Sequence, residues 1–332
     1  MTGTKVFSQF PFDSRVFVAG HSGLVGSAIV RALGRHGFTN VVVRSRAELD
    51  LLDQLAVQRF FAREHIDFVF LVAAKVGGIL YNASHQADFL YENLMISANV
   101  IKAAADFGVE KLLYTGSSCI YPKLSPQPIA EEALLSGPLE PTNEGYALAK
   151  IAGLKLCEKF HSQYGKRFVS VMPTNMYGPN DNFHPDHSHV IPGMMRRFHE
   201  AKEQGVRAVT VWGTGQPRRE FLYVDDFAEA ALVIMDQYEE PTTINVGTGE
   251  DVTIRHLAEQ MAEVVGFRGE IVFDTSKPDG MMRKVLDVSR VQSLGWKPTV
   301  SLTEGLSRAY SWALRNGIFA SASLSVEKPS LA

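Results

Sequence analysis

Two short stretches of the 332-residue chain carry side chains that can exchange protons with a substrate. TGSSCIYP places Ser117 and Ser118 directly before Cys119, one of only two cysteines in the chain. In YALAK, Tyr146 and Lys150 stand four residues apart, so on a helix their side chains share one face. Because a nearby cation favours the phenolate, this pair predicts a tyrosine acid with a pKa below the usual value of about 10. A serine hydroxyl could bind the same substrate oxygen.

A third stretch, HPDHSH, ends in His189. A thiol and an imidazole both exchange protons near neutral pH, so Cys119 and His189 are candidate proton-transfer groups. Two alternatives stay open: Cys119 could be a small buried core residue, and the histidines with Asp186 could ligate zinc. No tetrahedral set of ligands is evident, so we expect no metal and interpret His184 and His187 as surface residues.

A glycine-rich turn, GHSGLVG, follows the apolar run RVFVAG and opens a helical pattern. Gly20, Gly23 and Gly26 suit a tight turn, close approach of a pyrophosphate, and close packing of the helix on the strand. The spacing G-x-x-G-x-x-G differs from the commoner G-x-G-x-x-G. Its position between a strand and a helix predicts a nucleotide site, and a purely structural turn is the alternative.

The second apolar run, VVV, is followed by Arg44 and Arg46 where an NAD-specific fold has a carboxylate. Two guanidinium groups suit a ribose 2′-phosphate, which predicts NADP as the cofactor. Solvated arginines at a strand end are the alternative.

Short apolar strands alternate with helical patterns from residue 15 to about residue 174. This alternation predicts an α/β fold with a Rossmann-type, doubly wound parallel sheet. A polar loop and smaller units then indicate a second, smaller α/β lobe. We expect residues 14–178 with 221–248 to bind NADP, and residues 179–220 with 249–318 to bind the substrate. The remaining ends, 1–13 and 319–332, are expected to be flexible tails.

The composition favours a soluble globular protein. Apolar residues make up 45% of the chain, charged residues 21%, and the net charge is −3. This balance gives no reason to expect a nucleic acid or a membrane as partner. With two cysteines, no signal-peptide pattern and no long apolar stretch, the cytoplasm is the expected location.

Together these features resemble the extended short-chain dehydrogenase/reductase superfamily over nearly the whole chain. Within it, the sequence is most similar to the GDP-L-fucose synthase family, the GDP-4-keto-6-deoxy-D-mannose 3,5-epimerase/4-reductases. The similarity rests on five strings: GSSCIYPKLSPQPIAEEALLSGPLEPTNEGYALAKIAG, AAKVGGI, SVMPTNMYGPNDNFHPDHSHVIP, REFLYVDD and KPDG. It implies a bifunctional, NADPH-dependent enzyme acting on a GDP-sugar, and a homodimer.

The resemblance also implies a role for each catalytic residue. Tyr146 would protonate the C4 oxygen as hydride arrives, Lys150 would bind the nicotinamide ribose, and Ser117 would orient the ketone. Cys119 and His189 would invert C3 and C5, whose protons the neighbouring ketone acidifies. Inversion needs an acid and a base on opposite faces of the ring, and which residue is the base stays open.

Two further sets of residues follow from the resemblance. The NADP-binding set is Gly20, Gly23, Leu24, Val25, Gly26, Arg44, Arg46, Asp50, Leu51, Ala73, Lys75, Tyr146, Lys150, Pro173, Asn175, Met176 and His189. The GDP-sugar-binding set is Ser118, Asn175, Val190, Arg197, Trp212, Arg219, Asp279 and Lys284.

Three positions depart from the family pattern. Ser22 stands where some relatives carry an arginine directed at the cofactor phosphate. Gly145 replaces a common proline before the tyrosine, and we expect it to loosen the start of the helix. Met281 and Met282 replace the usual Thr-Pro, which bears on the hexose that is bound.

Three alternative functions remain at this point. The same chemistry could act on a related GDP-sugar, giving GDP-L-colitose or a GDP-6-deoxy-heptose. A redox-neutral nucleotide-sugar epimerase would retain bound NAD and would not consume NADPH. A cofactor-sensing binding protein of the same fold is the third, but such proteins have often lost the tyrosine or the lysine, and both are present here.

Overall fold

A computed structural model describes residues 7–185, 187–277 and 279–320, with the side chains of 79 and 80 excluded. Its centre is a six-stranded sheet in which every strand pair is parallel. In spatial order the strands are Ile244–Val246 (β10), Arg167–Pro173 (β5), Lys111–Thr115 (β4), Phe68–Leu71 (β3), Val16–Ala19 (β1) and Val41–Val42 (β2). β1, β3 and β4 are buried along their whole length, because helices cover both faces of the sheet. The predicted Rossmann-type sheet is confirmed.

The helices that flank this sheet are Leu24–His36 (α1), Gln54–Glu64 (α2), Ile79–Ser84 (α3), Gln86–Asp106 (α4), Glu144–Tyr164 (α5) and Val224–Gln237 (α7). α1 packs on α7, while α4 packs on α5 and α2. β2 lies on one side of β1, and β3 and the later strands lie on the other side. Right-handed crossovers therefore place α1 and α2 on opposite faces of the sheet. This arrangement creates a crevice at the carboxyl ends of β1 and β3, where ligands bind in such folds.

A second core lies beyond the sheet. The helices Val190–Glu203 (α6), Ile254–Val265 (α8) and Leu302–Arg315 (α10) pack around Met195, Phe198, Met261 and Leu306. The strands of this part are Asn175–Tyr177 (β6), Ala208–Trp212 (β7), Arg218–Arg219 (β8), Phe221–Tyr223 (β9), Val252–Thr253 (β11), Glu270–Asp274 (β12) and Arg283–Lys284 (β13). They form small sheets, β11-β8-β13, β12-β7 and β6-β9. The predicted smaller α/β lobe is therefore present.

One part of the chain assigned to the second lobe packs in the first core. Leu286, Val288 and Trp296, which flank the short helix Ser289–Ser293 (α9), belong to the same cluster of buried side chains as the central sheet. The reason is backbone pairing, because Ile129 and Leu286 form a bridge between two distant segments. The boundary expected at residues 249–318 therefore does not match the packing.

The expectation of a flexible N-terminal tail up to residue 13 was wrong for its described part. Phe10 is fully buried, and its ring lies 4.4 Å from that of Phe38 and 4.7 Å from that of Phe68. Aromatic side chains bury a large apolar area, which fixes this segment on the sheet. At the other end Phe319 stacks on His199 at 4.4 Å. Residues 1–6 and 321–332, the rest of the predicted tails, lie outside the described residues.

Within the described ranges, no helix combines enough length with enough apolar character to cross a membrane.

Candidate active site

The glycine turn lies at the carboxyl end of β1. Gly20 has a φ of +93°, and a Cβ there would lie 2.8 Å from the backbone of Ala73. A Cβ on Gly26 would collide with the carbonyl of Gly20. Two of the three glycines are therefore required by close packing, because a side chain has no room at either position.

Gly23 differs from the other two glycines. It precedes α1 with ordinary extended backbone, no side chain caps the helix there, and a Cβ would meet only one atom, at 3.7 Å. The N–H groups of Leu24 and Val25 are thus left for an external acceptor at the positive end of the helix dipole. A dinucleotide pyrophosphate fits this position, with Gly23 keeping the approach open.

The glycine turn can be tested with a matched pair of substitutions. We expect Gly26→Ala to lower the free energy of unfolding by about 1–3 kcal/mol, because the new methyl group forces the backbone apart. Gly23→Ala should cost less than about 1 kcal/mol, yet weaken NADP binding by roughly tenfold, since its methyl group stands in the phosphate approach. Urea unfolding and NADP titration measure the two effects. Unchanged NADP affinity in Gly23→Ala would contradict a phosphate site at this turn.

The two arginines after β2 have different surroundings. The Arg44 guanidinium donates to Glu64 at 2.9 Å and to the carbonyl of Val43 at 2.7 Å. Arg46 is exposed and lies 3.9 Å from Asp50. Because the Arg44 guanidinium already hydrogen-bonds Glu64 and Val43, the Arg46 guanidinium is the more available group for a 2′-phosphate. Arg44 lies two residues before it.

The other residues predicted to bind NADP lie along the carboxyl edge of the sheet. The Asp50 carboxylate accepts from the backbone of Leu52 at 3.0 Å and so shapes the turn that contains Leu51. Ala73 lies under Gly20, while Lys75 forms an ion pair with Glu92 at 2.5 Å. Pro173 ends β5, and Asn175 and Met176 follow it in β6.

Ser117, Tyr146 and Lys150 come together where β4 ends against α5. Lys150 is buried, and its ammonium donates to the carbonyl of Thr115 at 2.7 Å. The same nitrogen lies 5.8 Å from the centre of the Tyr146 ring, and the Ser117 side chain is close enough to the Tyr146 phenol to act on its pKa. Ser117 also caps the short turn at 118–120 by accepting from the backbone N–H of Cys119 at 3.2 Å.

The expected lowering of the Tyr146 pKa was wrong for the ligand-free protein. Burial of the phenol raises its pKa, and the nearby Cys119 acts in the same direction, while the hydrogen bond from Ser117 opposes them. Burial also lowers the pKa of Lys150 to about 7, which weakens its effect as a cation. The effect of burial on the Tyr146 pKa is therefore larger than the opposing effect expected from the Lys150 cation.

Lys150 should make the stability of the ligand-free protein depend on pH. Between about pH 7 and the ordinary lysine value of 10.5, the unfolded chain holds a proton at this position that the folded chain does not. The free energy of unfolding should therefore rise as the pH increases through this window. The cost of the buried charge is fully present below pH 7 and disappears above pH 10.5.

Urea unfolding at several pH values checks this expectation. Lys150→Met should be more stable than the parent at pH 7 and should lose this part of the rise with pH. Lys155→Met is the matched control, since Lys155 lies on the same helix but is partly exposed and paired with Glu158. A rise with pH in Lys150→Met as large as in the parent would contradict the assignment.

Gly145 does not loosen the start of α5, contrary to our expectation. Its N–H donates to the side chain of Gln86 at 3.0 Å, and a Cβ would lie 2.5 Å from the backbone oxygen of Gln86. Proline lacks the N–H and carries a Cβ, so it would lose this bond and clash. Glycine here lets α4 approach α5 closely at the residue before Tyr146.

Cys119 is a partly exposed free thiol, whereas Cys157, the other cysteine, is buried. The Lys284 ammonium lies 3.7 Å from the Cys119 sulfur. The Cys119 side chain is therefore partly exposed and has a cation as its neighbour, which is incompatible with a buried core role.

His189 lies on a separate loop, which is linked to Tyr146 through a series of aromatic rings. It precedes α6, and the loop is anchored by a hydrogen bond of 3.1 Å from Gly78 to the carbonyl of His187. The His187 ring contacts Tyr81 at 4.6 Å, and Tyr81 and Tyr146 both contact Phe89. His189 is exposed by its surface area, but the surrounding protein desolvates the imidazole and lowers its pKa. A neutral imidazole at pH 7 is able to accept a proton.

The histidine loop gives no support for a zinc site. The rings of His184 and His187 stack at 4.5 Å. In the part of the chain that the structure describes, no group of three potential ligands is close enough to hold a metal ion. Asp186, the proposed carboxylate ligand, lies outside the described residues.

Three cations predicted to bind substrate lie along the second lobe. Arg197, Arg219 and Lys284 have no carboxylate within 4 Å in the described ranges, and burial lowers the pKa of both arginines. Arg197 and Arg219 donate only to main-chain carbonyls in the bonds that we observe, at 3.0 and 2.8 Å. Two desolvated guanidinium groups without a carboxylate partner suit a diphosphate.

The alternation of side chains along β-strands explains why Arg219 and Lys284 have no carboxylate partner. Arg218 and Arg219 are consecutive on β8, and Arg283 and Lys284 are their partners on β13. Successive side chains point to opposite faces. Arg218 and Arg283 both bind Asp251, so Arg219 and Lys284 point away from that carboxylate.

The remaining substrate candidates differ in availability. Trp212 is 56% exposed, and Val190 is 39% exposed at the start of α6. Ser118 is buried, and the Asn175 side chain donates to the carbonyl of Glu220 at 2.9 Å. Asp279 accepts from the backbone and hydroxyl of Thr214 at 2.7 and 2.8 Å. Its carboxylate thus holds the turn after Trp212.

Three residues that support the site were not found from the sequence. Thr115 holds Lys150 through its carbonyl, and Gln86 supports the start of α5. Glu220 is fully buried and accepts from the backbone of Gly249 at 2.7 Å and of Leu286 at 2.9 Å. It therefore joins the strands that carry the unpaired cations. Glu220 stands in the string REFLYVDD, but its partners are too distant in the chain for any local signal.

Comparisons with known proteins agree with this geometry. The NAD dependent epimerase/dehydratase family matches residues 16–247. A GDP-L-fucose synthase 1 from Arabidopsis thaliana is 56% identical over 95% of this chain and 97% of its own length. A GDP-L-fucose synthase from Escherichia coli K12 is 57% identical over 91% of this chain and 97% of its own. Among solved structures, an NADP-bound GDP-L-fucose synthetase from Naegleria fowleri is 30% identical, with a TM-score of 0.87 over 93% of this chain and 95% of that one.

Proposed function

The chain belongs to the NAD dependent epimerase/dehydratase family, and we propose that it has the activity for which its GDP-L-fucose synthase relatives are named. It is a bifunctional NADPH-dependent 3,5-epimerase and 4-reductase, and it converts GDP-4-keto-6-deoxy-D-mannose to GDP-L-fucose. One observation carries the proposal: the Tyr146 phenol lies close enough to Cys119 and to Ser117 for both to act on its pKa, and the backbone N–H of Cys119 donates to the Ser117 hydroxyl at 3.2 Å. Reduction of the ketone needs the Tyr146 phenol, and epimerisation needs in addition a proton-transfer group such as the Cys119 thiol.

The reduction uses the residues at the end of β4 and the start of α5. NADPH, when bound at the glycine turn, supplies the hydride. Ser117 binds the C4 oxygen and orients the ketone, and Tyr146 transfers its proton to that oxygen as negative charge develops. Lys150 binds the nicotinamide ribose. After Tyr146 has given up its proton, the Lys150 ammonium supplies a proton to the phenolate.

Epimerisation precedes reduction and uses Cys119 and His189. One of them removes the proton from C3 or C5, and the electron pair of the broken C–H bond moves into an enolate on the C4 oxygen. The other gives a proton to the opposite face of the same carbon. Ser117 and Tyr146 are placed to hydrogen-bond the enolate oxygen, so one oxygen site serves both stages.

Substrate and cofactor occupy different lobes. Residues 14–178 with 221–248 bind NADP, with Arg46 and the neighbouring Arg44 at the 2′-phosphate. The second lobe binds the GDP-sugar, with Arg197, Arg219 and Lys284 at the diphosphate and Trp212 at the nucleotide. Asn175 and Val190 line the sugar end, with Ser118 behind them.

We also propose a homodimer in the cytoplasm. Tyr91 and Leu94 on α4 and Leu148 on α5 are large apolar residues with exposed fractions of 63%, 37% and 43%. Since α4 and α5 pack together, these side chains form an apolar surface that a second copy can cover. Both cysteines are free thiols, as expected in a reducing compartment.

Product analysis tests the proposed function. Purified protein with NADPH and GDP-4-keto-6-deoxy-D-mannose should consume one NADPH for each GDP-L-fucose formed. A GDP-L-colitose or GDP-heptose precursor as the better substrate would support the same chemistry on another sugar. Epimerisation without NADPH consumption would indicate the redox-neutral epimerase. An NADP-binding sample with no GDP-L-fucose product would contradict the proposal.

A further inference from the structure

Lys284 contacts the thiol that serves the epimerisation, although the two residues are far apart in the chain. Its ammonium lies 3.7 Å from the Cys119 sulfur, a distance at which it donates a hydrogen bond. The resemblance to the GDP-L-fucose synthase family implies only GDP-sugar binding for Lys284. Its position next to a reacting group shows that a phosphate is not its sole partner.

The backbone on both sides of this contact is fixed. Directly after Lys284, the N–H of Val285 donates to the Gln127 side chain at 2.9 Å, and its carbonyl accepts from Ile129 at 2.8 Å. The next N–H, of Leu286, donates to Glu220 at 2.9 Å. The strand carrying Lys284 is thus bound to the segment that follows Cys119. These hydrogen bonds fix the backbone next to Lys284, from which its side chain extends to the Cys119 sulfur.

In the described part of the chain, no carboxylate lies within 4 Å of the Lys284 ammonium. The titratable groups beside the thiol are Tyr146, on whose pKa Cys119 acts, and Lys284 itself. Arg219 is paired with Lys284 on the neighbouring strand, and the carboxylate that acts on Arg219 is Asp279. A sulfur anion next to Lys284 is therefore a negative charge that this arrangement favours.

We propose that Lys284 is a positioning residue that holds Cys119 as a thiolate for proton transfer at C3 or C5. This inference rests on the proposed epimerase function. In the step that it assists, an S–H bond forms as the C–H bond breaks, and the freed electron pair enters the C4 enolate. Lys284 keeps its proton throughout and returns to the sulfur when the thiol has passed its proton on.

Thiol alkylation tests this role without any GDP-sugar. The full chain saturated with NADP⁺ is treated with iodoacetamide over a range of pH, and modification of Cys119 is followed by mass spectrometry. At pH 7 we expect Lys284→Met to be alkylated about tenfold more slowly than the parent, because a nearby cation favours the thiolate. The two rates should converge at high pH. Lys284→Arg, which keeps the charge, should restore most of the rate.

Two controls make the alkylation result specific. Cys119→Ser gives the background, because Cys157 is 1% exposed. Unchanged NADP affinity shows that the Lys284→Met protein is folded. If Lys284→Met does not fold, Lys284→Gln is used in its place. Superimposable alkylation profiles for the parent and the neutral variants would overturn the proposal.

Substrate kinetics separate this role from simple GDP-sugar binding. At saturating GDP-sugar in D₂O, we expect Lys284→Met to exchange deuterium into C3 and C5 about tenfold more slowly. A higher KM with unchanged exchange at saturation would show that Lys284 only binds substrate, and would overturn the proposal. A protein inactive on GDP-4-keto-6-deoxy-D-mannose would contradict the proposed function instead, since alkylation does not depend on that sugar.

Discussion

Replacing Tyr146 with phenylalanine is expected to stop the reduction while epimerisation continues. The phenol is the proton donor for the C4 oxygen, and loss of a general acid costs about 10²- to 10⁴-fold in rate. Epimerisation loses only one hydrogen bond to the enolate oxygen, because Ser117 remains, so it should slow by about tenfold at most. The ring keeps its edge contact with Phe89, so the fold should be unaffected.

Two rates measured on one sample check this prediction. NADPH oxidation reports the reduction, and deuterium uptake from D₂O into C3 and C5 reports the epimerisation. Tyr121→Phe is the matched control: Tyr121 is buried, and its hydroxyl donates to Asn245 at 2.6 Å. That variant should lose about 1 kcal/mol of stability and keep both rates. Equal loss of both rates in Tyr146→Phe would contradict separate roles for the phenol and the thiol.

Replacing Cys119 with serine is expected to have the opposite effect. The substitution keeps size and shape, but a serine hydroxyl ionises far less readily than a thiol near neutral pH and so transfers protons poorly. Exchange should therefore fall by about 10²- to 10⁴-fold. NADP binding and the free energy of unfolding should stay close to those of the parent, because Cys119 lies away from the glycine turn. With NADPH present, the variant should leave the substrate unepimerised or reduce it to a wrong product.

The second cysteine provides the control for this experiment. Cys157→Ala removes a buried thiol from the core of α5, so it should lower stability by about 1 kcal/mol and leave exchange unchanged. If Cys119→Ser exchanged C3 and C5 as fast as Cys157→Ala, the thiol would have no part in the chemistry.

Local patterns were enough to predict the sheet and most of its helices. The helical pattern before TGSSCIYP forms the helix Gln86–Asp106, and the pattern that contains YALAK forms the helix Glu144–Tyr164. Each pattern depends on residues close together in the chain, where hydrophobic spacing and glycine stops act directly. The same holds for Tyr146 and Lys150, which share a helix face.

Features that depend on distant partners could not be predicted. The contact of Lys284 with Cys119 joins residues 165 positions apart, and Arg44 pairs with Glu64 from another helix. The Tyr146 pKa changed in the direction opposite to our expectation, because burial depends on the whole fold and not on the lysine four residues away.

One reaction in D₂O tests most directly whether a single pocket performs both stages. The parent protein is incubated with NADPH and GDP-4-keto-6-deoxy-D-mannose, and the nucleotide sugar formed is analysed by NMR. We predict GDP-L-fucose with solvent deuterium at C3 and C5, and with hydrogen from NADPH at C4. A product that carries no deuterium at C3 and C5, or that retains the manno configuration there, would contradict the account.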